Sequence, residues 1–210
     1  SKTPITQRIE WLLKLKNACW EQRDKLIDLV MRESGRPYAA AKADFDWCMT
    51  SFAYYAVEVK RIYGTSFPAV SSQYGCQYHI VERRALGVVV GHLAWNYPLG
   101  NAGLKIGPSV VSGCACIIKP SSETPLATLY IGEIAHKIGF PAGVLNIISG
   151  PSSEVAYTLN ASVIPKMITL IGSSETGLQI MREAATSVKK YSFELGGNAP
   201  VIVMPDVDID

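Results

Sequence analysis

Apolar residues at Ile5, Ile9, Leu12, Cys19, Leu26 and Val30 recur at helical spacing behind Thr3-Pro4, which reads as an N-cap with proline in the first turn. Gly35 and Pro37 stop that helix. A second long helix is predicted from about Tyr38 to Tyr63; Gly64 ends it and the loop SFPAVSSQYG follows. CQYHIVERR alternates as one strand of a hairpin does. Beyond it the pattern becomes strand, turn, helix. Short β-branched runs predict strands at Gly87–Leu93, Cys114–Lys119, Val144–Ser149, Lys166–Ile171, Tyr191–Leu195 and Val201–Met204. Helices of about 10 to 15 residues fit between the first four. The economical solution is an α/β fold, a Rossmann-like doubly wound parallel sheet preceded by two long helices. No internal repeat or low-complexity segment interrupts it.

Composition narrows the partners. The chain has 210 residues, 48% hydrophobic and 18% charged, enough to bury a sizeable core. Its formal charge of +2 offers neither a basic stripe for nucleic acid nor an acidic tail, so polynucleotide and membrane-surface partners are set aside. No apolar run approaches the roughly 20 residues of a membrane-spanning helix, and SKTPITQR is no signal peptide, which predicts a cytoplasmic protein. Cys19, Cys48, Cys76, Cys114 and Cys116 lack metal-ligand spacing and read as reduced thiols; no metal site is expected.

In a doubly wound sheet, ligands bind beyond the carboxyl ends of the strands. Four turns are therefore informative: Ala94-Trp95-Asn96-Tyr97-Pro98, Lys119-Pro120-Ser121-Ser122, Gly172-Ser173-Ser174-Glu175-Thr176-Gly177, and Glu194-Leu195-Gly196-Gly197. Gly172 would let backbone approach a phosphate and Ser173 adds a hydroxyl at a helix start, although Ser173 reads equally as an ordinary N-cap. Asn96 reads either as the cap of the helix that Pro98 opens or as an amide donor to an oxyanion. Glu194, before two glycines, reads either as a solvated turn residue or as a mobile general base.

The motifs AWNYP, IIKPSSETP, GFPAGVLNIISG, IGSSETG and FELGGNAP, taken in order and spacing, resemble the aldehyde dehydrogenase superfamily from about Arg8 to Asp210. By that resemblance Asn96 is an oxyanion donor and Glu194 the base that activates the hydrolytic water. Trp95, Asn96, Lys119, Pro120, Ser121, Ser122, Gly172, Ser173 and Leu195 line the cofactor, with Lys119 on the adenosine ribose and the Gly172-Ser173 turn near the pyrophosphate. The resemblance divides the chain at 1–81 (helices and the start of a hairpin), 82–197 (dinucleotide-binding domain) and 198–210 (start of a catalytic domain).

It also implies what should be missing. The family's nucleophilic cysteine lies a few dozen residues past its ELGG motif, and none of the cysteines here sits in a matching motif. The chain thus reads as a fragment, inactive alone, of an enzyme that oxidises a small aldehyde to an acid through a thioester. Glu194 favours the hydrolytic over the acylating members. Ala94 replaces a common proline and Asn198 a common lysine. KPSS and ELGGNAP point to succinate semialdehyde, and the full-length enzyme would be a homodimer or homotetramer. Many NAD-preferring relatives carry glutamate where Ser122 stands, so the cofactor is NADP by preference, or NAD. Neighbouring Glu123 would face the opposite way in an extended segment. The alternative is a truncated, non-catalytic module that binds dinucleotide or protein.

Overall fold

The computed structural model describes residues 2–68 and 77–208. Cys76 and most of the predicted loop lie outside them. The first predicted helix divides into α1 (Ile5–Glu21) and α2 (Arg23–Ser34), because Gln22, at φ −102° and ψ 18°, leaves helical geometry. Pro4 takes the capping position of α1. Gly35 closes α2 in the left-handed conformation, φ 68°, that a side chain would disfavour. Helix α3 (Tyr38–Glu58) ends earlier than its apolar pattern suggests and finishes in a 3-10 turn over Val59–Arg61. Strands β1 (Thr65–Pro68) and β2 (Tyr78–Val81) form the antiparallel hairpin that the alternation of CQYHIVERR predicts.

The remaining strands are β3 (Val88–His92), β4 (Ala115–Lys119), β5 (Leu145–Ile147), β6 (Met167–Ile171) and β7 (Lys190–Glu194). They make one parallel sheet in the order β5-β4-β3-β6-β7. The connections are α4 (Pro98–Val111), α5 (Leu126–Lys137), a π turn over Ser152–Ala156 that runs into α6 (Tyr157–Ala161), and α7 (Ser174–Glu183). This is the doubly wound arrangement expected from the sequence. The order reverses between β3 and β6, which opens a crevice at their carboxyl ends.

The sixth predicted strand does not form. Val201–Met204 is exposed and pairs with no described strand. After β7 the chain turns away through Gly196-Gly197, Ala199 at φ 33° and Pro200, so its β-branched residues never meet a sheet edge.

The core is continuous from the N-terminal helices into the sheet, with Leu12, Leu15, Phe45, Phe52, Ile106 and Ile118 all fully buried. Helix α4 lies close on α3 because it presents Gly100, Gly103 and Gly107. A Cβ at Gly103 would come within 3.0 Å of the Cys48 backbone, and one at Gly107 within 2.7 Å of the Tyr55 ring.

Candidate functional site at the carboxyl edge of the sheet

The turn after β3 is held from several sides. Asp44 of α3, 1% exposed, accepts from the Leu99 and Gly100 amides at 3.1 and 2.8 Å and so caps α4 from another helix. Burial raises the Asp44 carboxyl above its ordinary range, against the pull of those two amides and of Arg36. The Arg36 guanidinium lies 4.1 Å from the centre of the Tyr97 ring, and Trp47 meets that ring edge-on at 5.6 Å. Thr124 and Thr128 donate to the Trp95 and Pro98 carbonyls, each at 3.1 Å.

Asp44 takes the capping role that sequence left open for Asn96. The Asn96 side chain instead receives a hydrogen bond at Oδ1 from Asn101 Nδ2, 3.3 Å. That contact uses the Asn96 oxygen and leaves the role of α4 cap to Asp44. Sequence reasoning missed Asp44 and Asn101, since a carboxylate 55 residues from the amides it caps leaves no local signal.

Trp95, Asn96, Lys119, Pro120, Ser121, Ser122, Gly172, Ser173, Glu194 and Leu195 all line one cleft of about 880 Å³. Lys119, 5% exposed, donates from Nζ to Ser152 Oγ at 3.2 Å and to the Pro120 carbonyl at 3.5 Å, and burial lowers its pKa. Ser173 is the N-cap of α7: its Oγ accepts from Thr176 N at 3.1 Å, while the cleft keeps access to the helix start. The ordinary reading of Ser173 therefore holds, and it does not displace the other. Residues 122–124 bend rather than extend, so strand alternation does not apply, and Glu123 lines the cleft beside Ser122.

Glu194 ends β7 and borders both this cleft and a second cavity of about 530 Å³ on the α4 side of the sheet. Lys105 of α4 lines that second cavity with it; burial lowers the Lys105 pKa and the Glu194 charge partly restores it. The lone lysine in the apolar run GLKIG was the available signal for Lys105. His92, Asn160, Gln179 and Glu183 also line the main cleft and were not anticipated.

Cys19, Cys48, Cys114 and Cys116 are buried. Burial pushes the Cys19 and Cys116 thiols up to about 12 and Cys48 well above its ordinary value. Among the described residues no cluster could hold a metal ion, and no helix is long and apolar enough to cross a membrane.

The cleft has the features a dinucleotide needs. It sits where the strand order reverses, it reaches the start of α7, and it carries the buried cation of Lys119.

The chain is 38% identical over 190 residues to the glutarate-semialdehyde dehydrogenase of Pseudomonas putida, covering 90% of this chain and 39% of the relative. It is 36% identical over 194 residues to the NADP-dependent succinate-semialdehyde dehydrogenase GabD of Escherichia coli, covering 92% and 40%. Among solved structures, a 3,6-anhydro-L-galactose dehydrogenase in complex with NADP superposes with a TM-score of 0.90 at 36% identity, over 99% of this chain and 43% of that one. The chain thus spans about two fifths of the length of these relatives. The aldehyde dehydrogenase family matches residues 1–210, and the chain belongs to that family.

Proposed function

We propose that this chain is the cofactor-binding part of an NAD(P)-dependent aldehyde dehydrogenase of the hydrolytic type, with residues 82–197 as the dinucleotide-binding unit and 198–210 as the entry to a catalytic domain. The observation that carries the reading is the convergence of four separate turns on one cleft, with Glu194 at its border with the second cavity. When bound, NAD(P) supplies the hydride acceptor. Lys119, Ser122, Gly172 and Ser173 bind and orient it, while Trp95 and Leu195 cover it with apolar surface.

In the reaction, a thiolate outside this chain attacks the aldehyde carbonyl and Asn96 Nδ2 donates to the oxyanion that forms. Once that adduct has lost its hydride to the bound acceptor and become a thioester, Glu194 takes a proton from the water that attacks it, releasing the acid and the thiolate. Burial holds the Cys19, Cys48 and Cys116 thiols above their ordinary pKa, away from the thiolate that attacks a carbonyl, which supports the reading that the 210-residue chain alone does not oxidise aldehydes. Succinate semialdehyde heads the aldehydes to be tested, because relatives carrying that name and the glutarate homologue share 34–38% identity. A cytoplasmic location and a homodimeric or homotetrameric full-length enzyme complete the proposal.

The test is Glu194→Gln in the full-length enzyme. A neutral amide cannot accept the water proton, so a pre-steady-state burst of reduced cofactor should persist while steady turnover falls about 10²-fold or more. Equal loss of both phases, with folding intact, would remove Glu194 from the hydrolytic step.

A further inference from the structure

A helix of five residues has too few backbone hydrogen bonds to hold its own shape, so α6 must be fixed by what its side chains touch. Its buried side chain is polar: Asn160, with no exposed surface. Asn160 Nδ2 donates to Glu183 Oε2 at 2.8 Å, and Asn160 Oδ1 lies 2.8 Å from His92 Nε2. Gln179 Nε2 donates to the other Glu183 oxygen, also at 2.8 Å.

An ionised carboxylate only accepts, so the contact with Glu183 assigns the Asn160 nitrogen to that side and turns its oxygen toward His92. The proton between them then belongs to His92 Nε2. One amide thereby links three walls of the cleft: β3 through His92, α6 through itself, and α7 through Glu183. The apolar packing beneath is small: Val90, Ile168, Leu170, Ile180 and Ala184 are buried, and Ile117, Phe193 and Leu159 of α6 are partly buried against them.

We propose that Asn160 is a positioning residue for the dinucleotide, setting the spacing of α6 and α7 where both line the cleft. The inference rests on the cofactor reading above. A cleft that must admit a ligand cannot be filled with apolar side chains, and apolar contacts tolerate sliding. Hydrogen bonds at 2.8 Å have a narrow range of distance and angle, and buried ones are costly to break. Ala156 and Asn160 from the α6 segment and Thr176, Gln179, Ile180 and Glu183 from α7 border the space whose width the link would fix.

The test uses the 210-residue chain with NADP and NAD as probes. Dissociation constants are measured by calorimetry for Asn160→Ala, Asn160→Asp and Glu183→Gln, together with hydrogen exchange of residues 157–161. Asn160→Asp keeps the shape and the acceptor for His92 but sets carboxylate against carboxylate at α7, so it serves if the alanine variant does not fold. Both should weaken both cofactors about tenfold, the effect of losing one part-buried hydrogen bond to a carboxylate, and speed exchange over 157–161. Glu183→Gln retains an acceptor for Asn160, and exposed Gln179 can turn its amide to match, so it should lose clearly less affinity than Asn160→Ala.

The proposal is overturned if a folded Asn160 variant binds as the wild type does, which would leave the link a purely stabilising one. It is equally overturned if Glu183→Gln loses as much as Asn160→Ala, since charge rather than the link would then matter. A wild-type chain that binds neither probe overturns the cofactor reading and this inference together. In that case faster exchange in the variants would show a real link with no cofactor to position, and unchanged exchange would show no link.

Discussion

The two faces of the sheet are built on different principles. On one face α3 and α4 approach through glycines and pack Phe45, Phe52, Leu99 and Ile106 into a dry core that extends into α1, α2 and α5. On the other, α6 and α7 cover a small apolar patch and are joined by a buried polar link. The first face holds the turn bearing Asn96 by burial and by a cap from Asp44. The second leaves room beside the link. The Asn96 turn is held by being surrounded; the walls of the proposed cofactor cleft are fastened by a few directional bonds.

The comparison breaks most visibly if the apolar face is not the source of stability. Phe45→Ala removes a fully buried ring that lies tilted against Trp20 with centroids 5.6 Å apart, and should cost about 3–5 kcal/mol in urea unfolding. Cofactor affinity of the surviving folded fraction should remain unchanged. A loss below about 1 kcal/mol would mean that this core relaxes freely and does not anchor the site.

The cap between helices gives the next effect. Asp44→Ala leaves two α4 amides unpaired in a buried place, so a loss of about 2–3 kcal/mol is expected. Asp44→Asn keeps one acceptor and should recover about half of it. If both variants unfold with the wild type, the cap is dispensable and the Asn96 turn is held by its aromatic neighbours.

Smaller in free energy, but diagnostic for the cleft, is Ser122→Glu. A second carboxylate beside Glu123 should repel a 2′-phosphate and shift the ratio of NADP to NAD affinity toward NAD by about 1–3 kcal/mol, roughly ten- to a hundredfold. Titrating both dinucleotides into the 210-residue chain reads this directly. A wild type that ignores NADP would assign the choice to Glu123, and the proposed preference for NADP would fall.

The smallest effect separates the faces by pH. Burial lowers the His92 pKa below its ordinary 6.5; Lys119 adds to the lowering, while Asn160 and Glu183 oppose it. A depressed folded-state pKa means that the unfolded chain binds the proton first. The stability due to neutral His92 is therefore complete above about pH 6.5 and is lost as pH falls through its folded value. His92→Asn should flatten the unfolding midpoint against pH in that acid window, while Phe45→Ala should shift the curve without changing its slope there. An unchanged slope in His92→Asn would assign the acid sensitivity elsewhere.

Much of the sheet was legible because its strands are short apolar runs closed by turn residues, and the Asn96, Lys119, Gly172 and Glu194 turns stand out where those runs end. Helix boundaries were less legible. Gln22 carries no strong breaking signal, yet α1 and α2 part there to follow the surface they cover. Val201–Met204 had strand propensity without a strand to pair with, and β propensity is realised only against a neighbour.

Local periodicity and turn chemistry, then, determined the parallel α/β class and which turns would close the strands around one cleft, because both are properties of adjacent residues. Tertiary structure alone decided that Asp44 caps α4, that Glu123 shares the cleft with Ser122, that Lys105 shares a cavity with Glu194, and that His92, Asn160 and Glu183 form one link. Those partners lie 55, 1, 89 and 68 or 23 residues apart. Even the neighbours Ser122 and Glu123 needed the bend of their backbone to be known, and the others needed the packing of helices on the sheet and on one another before a hydrogen bond or a charge could act between them.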